Sequence, residues 1–161
     1  MKDHILQSIV IVLAMVGLCM AESNLSPHFD DYPVTNIYKG KPKPVNLQSH
    51  PNARKWRTML REGAKEGPNF AGHYTIAKWG CGSSCVQFGI IDATTGNVYF
   101  PKGLTYVSWG WWWKEDYGLK FTKDSRLLVV YGSPNDLEDH GVFYYLWEGD
   151  DLKLIKSYIE K

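Results

Sequence analysis

Residues 66–92, EGPNFAGHYTIAKWGCGSSCVQFGIID, constrain this chain more than any other stretch. Five glycines fall within it, together with His73 and two of the three cysteines, Cys81 and Cys85. Glycine at this density marks backbone that turns at positive φ or passes close to another segment. Residues 73–79 alternate loosely and 86–91 form an apolar run, so the stretch reads as strand, turn, strand. The rest of the fold is therefore expected to be arranged around this strand-turn-strand unit.

Further strands follow downstream. Residues 97–100 come after the turn DATTG, 119–122 and 126–131 flank KDS, and 142–147 and 152–158 flank EGDD. Upstream, residues 52–64 are the one convincing helix, with Asn52 as N-cap and Gly63 and Gly67 marking its exit. Ala53, Trp56, Leu60 and Ala64 share its apolar face; Arg54, Arg57, Arg61 and Lys65 share the neighbouring one. That basic face reads as a solvated surface or as a patch for an anionic partner. The expected fold is α+β, mainly β: an antiparallel meander of about seven strands with one N-terminal helix packed on it. There is no full-length repeat of the kind a propeller needs. A chain of 161 residues with a net charge of +1 suits a single domain and argues against a dedicated nucleic-acid binder.

The N-terminus speaks to compartment. Lys2 precedes an apolar run at 9–21 that is too short to span a bilayer comfortably, and Cys19 and Ala21 are small residues where a signal peptidase reads them. Residues 1–21 are expected to be a signal peptide cleaved after Ala21, leaving no membrane span and a periplasmic or secreted protein. An uncleaved anchor is one alternative. Lipidation of Cys19 is another, although Leu18 stands where a small residue is normally required. Residues 22–48 read as an extended lead-in, because Pro27, Pro33, Pro42 and Pro44 block helix, with an edge strand at 34–38. Residues 49–161 form the β-rich domain.

In an oxidising compartment Cys81 and Cys85 are expected to pair. The ring is small, worth about 2 kcal/mol on the chain-entropy model, so the bond shapes a turn more than it holds the fold. A redox role is an alternative, but thioredoxin-type chemistry has two residues between the cysteines and here there are three. No second cysteine pair or histidine pair completes a metal site, so neither metal nor cofactor is expected.

Three constellations remain. In residues 67–74, GPNFAGHY, Asn69 and the loop amides make a polar floor with His73 and Tyr74 at its rim. Catalysis by His73 would need a carboxylate from elsewhere, Asp116 or Asp139; Ser83 and Ser84 lack the surroundings of a nucleophile elbow. Residues 109–113, WGWWW, put Trp109, Trp111 and Trp113 on one face if extended. So many indoles are hard to bury in a small domain, and with Trp79 they suggest an exposed aromatic surface for binding. The acids of residues 132–141 do not follow a calcium-loop pattern and read as a solvated loop.

The runs GPNFAGHY, WGCGSSC and IDATTGNVYFP together resemble a motif set of small exported bacterial proteins of unassigned function. The likeness covers residues 67–101 and implies a shared fold and a secreted setting. It carries no activity and no catalytic residues. The expected function is an exported, disulfide-bearing binding module, inhibitor- or immunity-like, that recognises a protein or envelope polymer; the residues favour a non-enzymatic role without deciding it. The alternatives are a cell-envelope hydrolase using His73 and a thiol–disulfide redox protein.

Overall fold

The structure is a computed structural model that describes residues 26–109, 115–135 and 138–160. Its helix, α1, spans Arg57–Lys65 and starts later than the sequence predicts. Pro51 opens a 3-10 turn, Pro51–Ala53, and His50 Nδ1 accepts the amide of Asn52 at 3.1 Å. Asn52 therefore sits inside this turn rather than capping the helix. Trp56, at φ −102° and ψ 19°, separates the turn from α1. Gly63 does not end the helix either. It lies within α1 against Ala77, where a Cβ would collide with the Ala77 side chain.

Eight strands follow: β1 Tyr74–Gly82, β2 Cys85–Asp92, β3 Val98–Tyr99, β4 Tyr106–Ser108, β5 Leu119–Phe121, β6 Leu127–Pro134, β7 His140–Trp147 and β8 Leu152–Glu160. Every pairing is antiparallel, as the meander requires. The order is β1-β2-β4-β6-β7-β8, with short strands sharing two edges. β3 takes Ile90 and Ile91 of β2, and β4 takes Cys85 to Gln87. On β6, β4 pairs with Ser133 and Pro134, and β5 with Leu128 to Val130. β4 thus joins the two halves of the sheet. It is the strand that the sequence reading did not predict.

The sheet curls back on itself. Ile76 of β1, Val86, Phe88 and Ile90 of β2, Leu128 and Val130 of β6, and Phe143 and Trp147 of β7 share one core. The other face of the β1–β2 hairpin presents Ala77, Trp79 and Ile91 to Leu60 of α1. This is the period-two alternation of a strand buried on both sides. Outside the second half, Leu127, Val129 and Tyr144 are covered by Phe29 and Tyr32 of the lead-in. The lead-in forms a 3-10 turn at Phe29–Asp31 and a single bridge from Pro33 to Ser125, not the edge strand expected at 34–38. Among the described residues, no helix is long and apolar enough to cross a membrane.

Candidate functional site

The glycine-rich turn before β1 positions the histidine. Phe70 and Tyr74 exchange backbone hydrogen bonds at 2.9 Å, while Ala71 and Gly72 turn at φ 42° and 82°. A Cβ on Gly72 would meet the Asn36 carbonyl. The turn is also tied to two other segments: Tyr38 N donates to Gly72 O at 3.0 Å, and Gly72 N donates to Lys123 O at 2.6 Å. Glycine is required here for close approach as well as for its φ. Asn69 completes the frame, with Oδ1 accepting Ile76 N at 2.8 Å and Nδ2 donating to Ile76 O at 3.3 Å. Its polar atoms are engaged by backbone, so the side chain supports the turn.

His73 follows directly and is partly exposed, with its ring over Tyr74 at a centroid distance of 4.1 Å. Its Nε2 lies 4.0 Å from Oδ1 of Asp92, whose side chain is only 10% exposed. That oxygen also accepts Thr94 N at 2.7 Å and Thr94 Oγ1 at 2.6 Å, which fixes the carboxylate in place. At 4.0 Å the His73 contact is an ion pair when the ring is protonated, and too long for a direct hydrogen bond. A single water can bridge such a gap.

Aromatic rings back this pair. Trp147 meets Tyr74 and Tyr99 edge to face, at 5.1 and 5.7 Å. Burial pushes the Tyr74 phenol above its ordinary value, helped by the nearby Asp92 charge and opposed by the Trp147 side chain. Even so, the buried Trp147 Nε1 makes no hydrogen bond of acceptable geometry with any described residue. Burial, reinforced by Asp92, raises Tyr99 likewise. In front of these rings lies an open cleft of about 540 Å³, lined by Val34, Asn36, His73, Tyr74, Arg126 and Trp147, with Glu148 at its edge.

Asp139 precedes β7 at the end opposite Trp147, roughly 25 Å along the strand at about 3.3 Å per residue, so it does not meet His73. Asp116 lies in the 3-10 turn Glu115–Gly118, and its side chain is outside the described residues. Asp92 is instead the carboxylate beside His73. Counting outward from the Ser83–Ser84 turn sets Tyr74 opposite Ala93; an irregularity between Gly80 and Gly82 shifts the register by one and brings Asp92 opposite Tyr74, which no local pattern announces.

Trp79 is 7% exposed and stacks on Trp56 at 5.0 Å beneath α1, leaving little of it for a partner. Trp109 packs on the core and meets the exposed Tyr117 edge-on at 6.1 Å. Trp111 and Trp113 lie outside the described residues. Cys81 and Cys85 are disulfide-bonded across the tip of the β1–β2 hairpin, with Cα atoms 5.2 Å apart. No family model, curated protein or solved structure matches this chain.

Proposed function

We propose that this protein is an exported binding module, inhibitor- or immunity-like, that recognises a protein or envelope polymer through an aromatic surface centred on the His73 cleft. The observation that carries the reading is the open cleft of about 540 Å³ that brings His73, Tyr74, Arg126 and Trp147 to one surface. The aromatic wall supplies apolar contact area, and His73, Arg126 and Glu148 offer polar groups to orient a ligand. The leader-like residues 1–21 and the resemblance across residues 67–101 support the exported setting.

Affinity capture from envelope extract tests this reading. Wild-type protein is compared with His73→Ala/Arg126→Ala and with Trp111→Ala/Trp113→Ala. A partner held by wild type and lost by the first variant is the expected result. Loss by the second variant alone would move the surface to the tryptophan segment. Retention by both would sink the aromatic-surface assignment.

A second reading is hydrolysis of an envelope polymer, with His73 as general base for a water and Asp92 as the group that holds the ring. It is favoured by the fixed, buried Asp92 carboxylate 4.0 Å from Nε2. His73→Ala should then abolish product release from the polymer, and Asp92→Asn should lower it. Full activity in a folded His73→Ala variant would exclude it.

A further inference from the structure

We infer that the groove between α1 and lead-in residues 42–48 is a second docking surface, shaped and charged for an extended acidic segment of a partner protein. It shares no lining residue with the His73 cleft. One wall carries Arg54, Arg57 and Arg61, and the other is formed by residues 45–48, on either side of an open hollow of about 500 Å³. A second hollow of about 290 Å³ continues past Arg61, with Lys43 and Lys65 at its sides.

The lead-in wall is built into the fold. Lys43 N donates to Ala93 O and Asn46 N donates to Gly96 O, both at 2.8 Å. Asn46 Nδ2 donates to Asn97 Oδ1 at 3.0 Å, and Ser49 Oγ accepts Val98 N at 2.8 Å. The groove is therefore present before any ligand arrives.

Its charge is uncompensated. Among the described residues, no carboxylate forms an ion pair with Arg54, Arg57 or Arg61; Glu62 is engaged by Lys65 at 2.8 Å. The whole chain carries only +1, so this basicity is local rather than a property of the protein at large. Like charges one helical turn apart repel, and the row gains most from an anion laid along it.

The geometry selects the class of anion. Arg57 and Arg61 sit one turn apart, with Cβ atoms about 5–6 Å from each other. Same-side side chains of an extended peptide repeat at about 6.7 Å, twice the strand rise, so acids at alternate positions can each meet one guanidinium. Guanidinium pairs with carboxylate through two parallel hydrogen bonds, which adds register to the attraction. A span of roughly 12 Å from Arg57 to Lys65, at about 1.5 Å per residue, accommodates about four extended residues.

The test is fluorescence anisotropy of the full chain with a labelled peptide of about ten residues that alternates glutamate and threonine. Wild type should bind, more weakly as salt rises. Arg57→Gln/Arg61→Gln should weaken binding at least about tenfold while leaving the thermal midpoint near that of wild type. Lys120→Gln/Lys153→Gln, which removes equal charge from exposed positions on the other half of the sheet, should leave binding unchanged. His73→Ala/Arg126→Ala should also retain it, which separates this groove from the cleft. No binding by wild type, an equal loss in the Lys120/Lys153 variant, or displacement by linear polyphosphate at lower concentration than by unlabelled peptide would each overturn the proposal.

Discussion

Trp147, at the end of β7, meets Tyr74, at the start of β1, with ring centroids 5.1 Å apart and planes at 75°. Three strands, β2, β4 and β6, separate them in the sheet order. The contact therefore closes the curled sheet upon itself, and Phe70 extends it with a ring 6.4 Å from Trp147. Tyr74 and Trp147 also line the cleft, so packing and the proposed recognition fall on the same side chains.

These two roles can be separated by substitution. Trp147→Ala should cost about 3–5 kcal/mol, the range for truncating a buried aromatic. Trp147→Phe keeps most of the packing and removes the indole N–H beside the Tyr74 hydroxyl, so it should cost roughly 1–2 kcal/mol. If the aromatic wall holds its partner by apolar contact, Trp147→Phe should keep the captured partner and Trp147→Ala should lose it. Denaturant titration and capture on the same two proteins check both halves of this prediction.

Gly63→Ala sets helix propensity against packing. Alanine inside a helix is favoured over glycine by about 1 kcal/mol. Here the new methyl would run into the Cβ and Cα of Ala77 across the helix–sheet contact. Overpacking of a fixed interface costs about 1–3 kcal/mol, so the variant should be less stable by up to about 2 kcal/mol. Gly63→Ala/Ala77→Gly should recover most of that loss. A stabilised single variant would mean that α1 does not pack as closely as described.

Much of the fold was legible because local chemistry and long-range structure agree. The alternation of residues 73–79 and the DATTG and EGDD turns predict strands that the structure contains. β4 escaped notice because it is three residues long and only Val107 of the three is buried; its pairing to β2 and β6 comes entirely from distant sequence. The helix start was misplaced because Asn52 fits a cap by type, whereas His50 and Pro51 set the local geometry. At the site, His73 was visible from its glycine-rich turn. Asp92 was hidden by its equally good fit to a hairpin corner, a role that it also fills through Thr94. Trp147 and Arg126 reach the cleft only through tertiary closure, which no local pattern encodes.

The disulfide makes a limited contribution to stability. It closes a ring with a sequence separation of 4 at the exposed end of a hairpin. Cys81→Ser/Cys85→Ser should cost about 2 kcal/mol on the chain-entropy model, and lower the thermal midpoint by roughly 4–8 °C. Cleft binding should survive, because the bond lies at the opposite end of β1 from His73. A variant that cannot fold would assign the bond a larger part in holding the hairpin than its ring size allows.

Alkaline conditions should probe the core through Tyr145. Burial raises its phenol from the ordinary 10.0 to about 12. Below pH 10 the group is protonated in folded and unfolded chains, and its contribution to stability is fully present. Between pH 10 and 12 the unfolded chain releases this proton while the folded chain keeps it. Stability therefore falls with rising pH, by about 1.4 kcal/mol per unit for this one group, and levels off above the folded value. The total is on the order of 2–3 kcal/mol. Tyr74, Tyr99 and Tyr131 are also raised, chiefly by burial, and add to the same trend. Urea titrations from pH 9 to 12 should show the decline, and Tyr145→Phe should reduce its slope by close to one proton. Equal slopes for the two proteins would mean that the Tyr145 hydroxyl reaches water in the folded state.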